Sequence, residues 1–289
     1  MIRLAVRVRR ADAELALAEL LELAPSGVEE VDVGDDEVEY AVYGTPGEIP
    51  TLPELRAAAG SALVRVSTTE IADDWSERWR AFHRPVLVVP PAGARVPALR
   101  VRPPWEPAAV PAPGDVPTEE IVIDPGQAFG TGAHATTRLC LELLLRLAAD
   151  GLADGPLLDV GCGSGVLAIA AARLGWRPVV GLDHEGESVE ATGDNAVVNR
   201  VALDARAFDL RRDPLPLPEL GAEATLTANL LRPLLLDLAR ALPFAPRRLV
   251  VSGLLPPELD EVAGAFAARG LREVERRADG EWAAALLAR

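Results

Sequence analysis

Apolar and charged residues alternate from Ile2 to Val8, with Ile2, Leu4, Val6 and Val8 set against Arg3 and Arg7, which is the period of a strand. The pattern then shifts to helical spacing over Asp12–Leu23 and returns to strands near Val28–Val33 and Glu37–Tyr43. A short helix over Leu52–Ala59 and a strand over Ala62–Ser67 complete a βαββαβ order, the ferredoxin-like pattern. Trp75, Trp79 and Phe82 fall at i, i+4 and i+7, one face of a linker helix within Asp73–Pro85. Prolines crowd Val86–Pro117; they cannot donate to a ladder, so edge strands and loops are expected, ending in a short strand at Ile121–Ile123.

After His134 the alternation becomes regular. A helix is expected over His134–Ala149. Strands follow at Leu157–Val160, Pro178–Asp183, Ala205–Asp209, Ala224–Asn229 and Arg248–Ser252. Helices lie between them at Gly165–Leu174, Glu187–Asn199, Pro233–Leu242 and Pro257–Arg269. Strand–helix alternation predicts a mostly parallel, doubly wound sheet. Two last strands, Leu271–Arg277 and Trp282–Ala288, flank Asp279-Gly280, a hairpin signal that puts one antiparallel strand at or near the sheet edge. The expected organisation is an α+β unit over 1–70, a linker over 71–85 and an α/β domain over 86–289.

Composition narrows the function. The chain of 289 residues is 49% hydrophobic, enough for real cores, and carries a formal charge of −15. That balance excludes a disordered acidic tail and argues against direct nucleic-acid binding, which needs a dense positive footprint. No lysine occurs; all 29 basic residues are arginine, as codon bias in a GC-rich genome would produce. Cys140 and Cys162 are too few for a disulfide scaffold, so a cytoplasmic setting is expected. No uncharged run reaches the roughly 20 residues that span a bilayer.

The candidate chemistry centres on LLDVGCGSGVLAIAAARLG, Leu157–Gly175. A buried strand ends in Asp159-Val160. It passes through Gly161, Gly163 and Gly165 into a helix, at the carboxyl edge where open α/β sheets bind ligands. Asp183 ends the next strand, where its carboxylate can accept hydrogen bonds from both hydroxyls of a ribose. Two ligand classes compete here. A dinucleotide site prefers G-x-G-x-x-G with pyrophosphate on the helix N-terminus. The G-x-G-x-G spacing, with Asp159 two residues before the first glycine, suits instead a ligand bearing an ammonium and a sulfonium. The D-x-G-x-G-x-G form with Asp183 resembles class I S-adenosylmethionine-dependent methyltransferases. Asp209, closing the third strand, and Gly132 join the cofactor-binding candidates. Asn229, at the end of the fourth strand, is a candidate for orienting an attacking amine or for capping the next helix.

Upstream, DPGQAFGTGAHATT (Asp124–Thr137) holds glycines, threonines and His134, one of three histidines. His134 is read as an optional general base or as a hydrogen-bonding support for this loop. No metal site is expected, because the histidines and cysteines are too scattered. Together with VVGLDHEGESVEATGDNAVVN, LTANLLRPLL, WSERWRAFHRP and the closing EWAAALLAR, this run resembles the bacterial ribosomal protein L11 methyltransferase (PrmA) family over nearly the whole chain.

The resemblance implies transfer of methyl groups from S-adenosylmethionine to the α-amine and lysine amines of ribosomal protein L11. It implies a small N-terminal domain that grips that protein, and ligand contacts at Thr137, Gly161, Asp183 and Asn229. The chain departs from the family in placing Glu185 as the second acid after Asp183, with His184 between, and in a longer proline-rich stretch before Thr118. Other readings are a same-fold methyltransferase acting on another protein or a small molecule, a non-catalytic S-adenosylmethionine-binding protein, and an NAD-dependent oxidoreductase.

Overall fold

In a computed structural model of the chain, residues 2–13, 16–17, 20, 28–34, 36–44, 50–51, 53, 55, 62–70, 83–110, 116–125 and 132–289 are described. The chain divides into two compact units, Met1–Phe82 and His83–Arg289.

In the first unit, β1 (Ile2–Arg9), β2 (Glu29–Asp32), β3 (Glu37–Gly44) and β4 (Leu63–Glu70) form an antiparallel sheet in the order β2-β3-β1-β4. This is the strand order of a ferredoxin-like sheet. The strand period puts Leu4, Val6 and Val8 on one face, where they bury with Val38, Tyr40 and Val42 against Ala13, Ala16, Leu20 and Leu55. On the other face Glu39 sits between Arg3 and Arg7 at 2.8 and 2.7 Å, and their hydrogen bonds hold its carboxyl below the usual range. Ala13, Ala16, Leu17 and Leu20 are helical, as are Pro53 and Leu55; the rest of the two expected helices lies outside the described residues. So do residues 71–82 and hence most of the expected linker helix, while His83–Pro85 are irregular.

The second unit opens with β5 (Val86–Val88), β6 (Ala98–Arg102) and β7 (Thr118–Val122), a three-stranded sheet in which β6 is central. β5 pairs antiparallel and β7 parallel to β6. Prolines fall outside these strands, so the ladders keep their donors. Glu120 on β7 binds Arg100 and Arg102 on β6 at 3.0 and 2.7 Å.

The large sheet contains β8 (Leu157–Val160), β9 (Val179–Asp183), β10 (Asp204–Ala207), β11 (Thr225–Asn229), β12 (Arg248–Leu254), β13 (Arg272–Asp279) and β14 (Trp282–Ala288). Their order is β10-β9-β8-β11-β12-β14-β13. Only β14 runs against its neighbours, one place in from the edge. Helices α1 (Ala135–Ala149), α2 (Val166–Leu174) and α3 (Gly186–Asn199) lie on one face; α4 (Leu217–Leu220), α5 (Arg232–Ala241) and α6 (Pro256–Ala267) lie on the other. β8, β9 and β11 are buried on both faces and read as near-continuous apolar runs. The core against α1 and α2 includes Leu99, Val101 and Ile121 of the small sheet and Ile123 just after it. The third strand of the large sheet ends at Ala207, not at Asp209 as expected, because Asp209 turns back to form a local bend.

Candidate functional site

The strand order reverses between β8 and β11, so a crevice opens at their carboxyl ends. β8 delivers Asp159 and the glycine loop, β9 delivers Asp183 and β11 delivers Asn229. α1 delivers His134, Thr136 and Thr137 at its first turn.

Gly161 and Cys162 both donate their N–H to the Leu182 carbonyl, at 2.8 and 3.0 Å, which ties the loop across β9. Gly161 has φ +77°, and a Cβ there would fall 2.4 Å from Leu230 Cδ2. Only glycine lets the two chains close up at this point. Gly163 donates to Asp183 Oδ2 at 2.9 Å, while Glu185 N–H donates to Asp183 Oδ1 at 3.1 Å. Each carboxylate oxygen thus keeps lone-pair capacity for a further donor. Gly165 caps α2 with φ +81°.

Asp159 lies beneath this loop and is fully buried. Its Oδ1 accepts the Thr227 hydroxyl at 2.6 Å, and its Oδ2 has no hydrogen-bond partner. Burial pushes its carboxyl up to about 7, against the pull of the Thr227 hydroxyl. The structure therefore encloses Asp159 in the sheet, away from solvent, rather than at the rim with Asp183. Cys162 beside it is also raised by burial, to about 12; its Sγ lies 3.3 Å from the Thr192 hydroxyl and fills the space over Gly181.

Asn229 is half-buried, and its Nδ2 donates to the Thr136 and Thr137 hydroxyls at 3.2 and 3.4 Å. The helix after it, α5, is capped by Leu231. His134 is the N-cap of α1: its Nδ1 accepts the Thr136 N–H at 3.4 Å and meets the Thr136 hydroxyl at 2.7 Å. Its ring packs edge-on against Trp282, with centroids 4.9 Å apart. Burial, and secondly Arg138, lower its pKa.

Gly132 has φ +89° and backs onto Val101. Gly126–Thr131 of the upstream run lie outside the described residues. Asp209 follows Phe208, whose N–H donates to the Asp183 carbonyl at 2.7 Å; its own carboxylate takes the Arg211 N–H at 2.9 Å and pairs with Arg212.

Residues of α3 absent from the sequence reading hold the site together. The Thr192 hydroxyl donates to the Gly163 carbonyl at 2.9 Å. The Asn195 amide donates to the Ser164 carbonyl at 2.9 Å and accepts the Asp124 N–H at 3.0 Å. Asn199 exchanges hydrogen bonds with the Val122 backbone, accepting at 2.8 Å and donating at 2.6 Å, as a strand residue would. Their signal was present: 192, 195 and 199 share one face of a predicted helix, and that face was polar where apolar residues were expected. Among the described residues, no cluster of His, Cys, Asp or Glu is arranged to hold a metal ion, and no helix is long and apolar enough to cross a membrane.

Strand order, glycine loop and an acid closing the second strand define a class I methyltransferase. Residues 18–289 match the family described as ribosomal protein L11 methyltransferase (PrmA), and the chain belongs to that family. It is 39% identical over 231 residues to the ribosomal protein L11 methyltransferase of Geobacter sulfurreducens, covering 78% of this chain and 70% of that one. It is 40% identical over 224 residues to the one of Pseudomonas fluorescens, covering 75% and 70%. Among solved structures, the ribosomal protein L11 methylase of Lactobacillus delbrueckii subsp. bulgaricus is similar with a TM-score of 0.53 and 29% identity. That match covers 66% of this chain and 94% of that one.

Proposed function

We propose that this chain methylates amines of ribosomal protein L11, at its N-terminus and its lysine side chains, with S-adenosylmethionine as donor. The observation that carries the reading is the family match over residues 18–289, which runs through every element framing the crevice.

The donor set fits that cofactor. The Gly163 N–H, which a pyrophosphate would need, is held by the Asp183 carboxylate, and a second carboxyl, Asp159, lies under the loop. Phosphate charge is disfavoured there; a ribose diol and a cationic group are not. Asp183 would hold the ribose, the Gly161–Gly165 backbone and Thr137 would line the methionine side, and Asn229 would face the amine. When bound, the cofactor supplies a methyl group made electrophilic by its sulfonium.

The chain's own residues then align the amine and exclude water. A lysine of pKa 10.4 must lose its proton at a cost of about 4.6 kcal/mol at pH 7, an α-amine only about 1. Desolvation in a closed crevice offsets part of that cost, so no dedicated base is required. The Nδ1 atom of His134 is committed to Thr136, which favours a supporting role over a basic one. We assign substrate recognition to the ferredoxin-like unit, whose β1 and β3 surface carries the Arg3–Glu39–Arg7 cluster.

The test incubates the full chain with purified ribosomal protein L11 and radiolabelled S-adenosylmethionine, then maps label by mass spectrometry. Methylated α-amine and lysine positions are expected. Label on other proteins only, or on none, would reject the substrate.

A further inference from the structure

Asn229 has two ends that differ chemically: an N–H2 that donates and a carbonyl oxygen that accepts. An amine awaiting methylation needs the oxygen, which can take one of its hydrogens and aim its lone pair. Rotation of the amide by 180° would present donors instead and repel the amine's remaining hydrogens. Something must therefore choose between the two orientations.

The first turn of α1 makes that choice. Asn229 Nδ2 donates to Thr136 Oγ1 at 3.2 Å, and Thr136 Oγ1 lies 2.7 Å from His134 Nδ1. His134 Nδ1 also receives the Thr136 N–H, so this nitrogen is the acceptor and the ring proton sits on Nε2. The Thr136 hydroxyl then has one direction available, donating to His134 and accepting from Asn229. Thr136 is buried, and the His134 ring is held edge-on by Trp282 of β14, so the chain has little freedom to reverse.

We infer that His134 and Thr136 are positioning residues: the one-way relay Asn229 to Thr136 to His134 locks the Asn229 amide with its oxygen toward the incoming amine. This deepens the proposed function and rests on Asn229 facing the substrate amine. Thr137, 3.4 Å from the same Nδ2, is a weaker second acceptor.

Two measurements test it on the full chain. In Thr136→Val the shape is kept and the hydroxyl is lost; the His134–backbone cap remains. With ribosomal protein L11 as substrate, kcat is expected to fall about tenfold to a hundredfold while KM for S-adenosylmethionine and the melting temperature stay near the parent's. Thr136→Ser, which returns the hydroxyl, recovers most of the loss. An unchanged kcat in Thr136→Val, or a loss confined to KM, would overturn the relay. If Asn229→Ala in the same assay keeps full activity, it is the placing of Asn229 that fails.

The second measurement needs no substrate or cofactor. Ring 15N shifts of the protein, with the His134 signals identified by their disappearance in His134→Gln, should show Nε2 protonated and Nδ1 bare at neutral pH. A proton on Nδ1 would refute the relay even if the substrate assay yielded no label on any protein.

Discussion

Asp159 offers the sharpest physical test of the structure. Its carboxyl is fully buried, holds one hydrogen bond from Thr227 and leaves Oδ2 without a partner. Burial raises its pKa from 3.8 to about 7, a change that corresponds to about 4 kcal/mol favouring the protonated form. The sign follows from proton counting. Between these two values the folded chain holds a proton that the unfolded chain has lost, so stability falls as pH rises through the window. Below pH 3.8 both states are protonated and the penalty vanishes; above pH 7 it is fully present.

More than half of that penalty accrues between pH 5 and pH 8. Asp159→Asn keeps an oxygen for the Thr227 hydroxyl and removes the titration. Urea or thermal unfolding of both proteins at several pH values reads the difference. The variant's stability should decline between pH 5 and 8 by roughly 2–3 kcal/mol less than the parent's, or on the order of 5–10 °C in midpoint. His134, whose pKa is lowered, acts in the opposite direction but equally in both proteins, and so cancels. Parallel stability–pH curves would show that Asp159 is ionised at little cost, and the buried, half-satisfied carboxyl would have to be abandoned.

Two further outcomes are expected. Asp183→Ala frees the Gly163 and Glu185 N–H groups and removes the diol acceptor, so affinity for S-adenosylhomocysteine by calorimetry should drop at least about a hundredfold; an unchanged Kd rejects Asp183 as a cofactor contact. Gly161→Ala places a Cβ 2.4 Å from Leu230 Cδ2 in a left-handed backbone conformation, and should cost about 2–4 kcal/mol; a melting temperature within a degree of the parent's would show that Leu230 yields freely.

The chain-order information was plain in the sequence wherever the cause is local. Period-2 and period-3.6 patterns located β8, β9, β11 and β12 and the longer helices between them to within a few residues, because each element buries one stripe or both faces of itself; the four-residue α4 is too short to show a period. The strand stops short of Asp209 because a strand's end is decided by its partner: β10 pairs with β9 as far as Ala207 opposite Asp183, the Phe208 N–H makes the last cross-strand bond to the Asp183 carbonyl, and Asp209 turns into local hydrogen bonds. The proline-rich stretch was legible as edge and loop, but a short strand carries no sign of its partner. Its central strand, β6, therefore emerged only from pairing.

The identities at the site, the glycine spacing and Asp183 at a strand end were properties of the sequence alone, since they depend on neighbours a few positions apart. What each group does there was decided by contacts spanning long stretches of chain. Asp159 meets Thr227 68 positions away, Asn229 meets Thr136 93 positions away, and Asn199 pairs with Val122 across 77. Such hydrogen bonds are set by how sheet and helices pack. Only the packed structure could show one carboxyl sealed in the core, another at the rim, and a histidine that caps a helix and points a threonine.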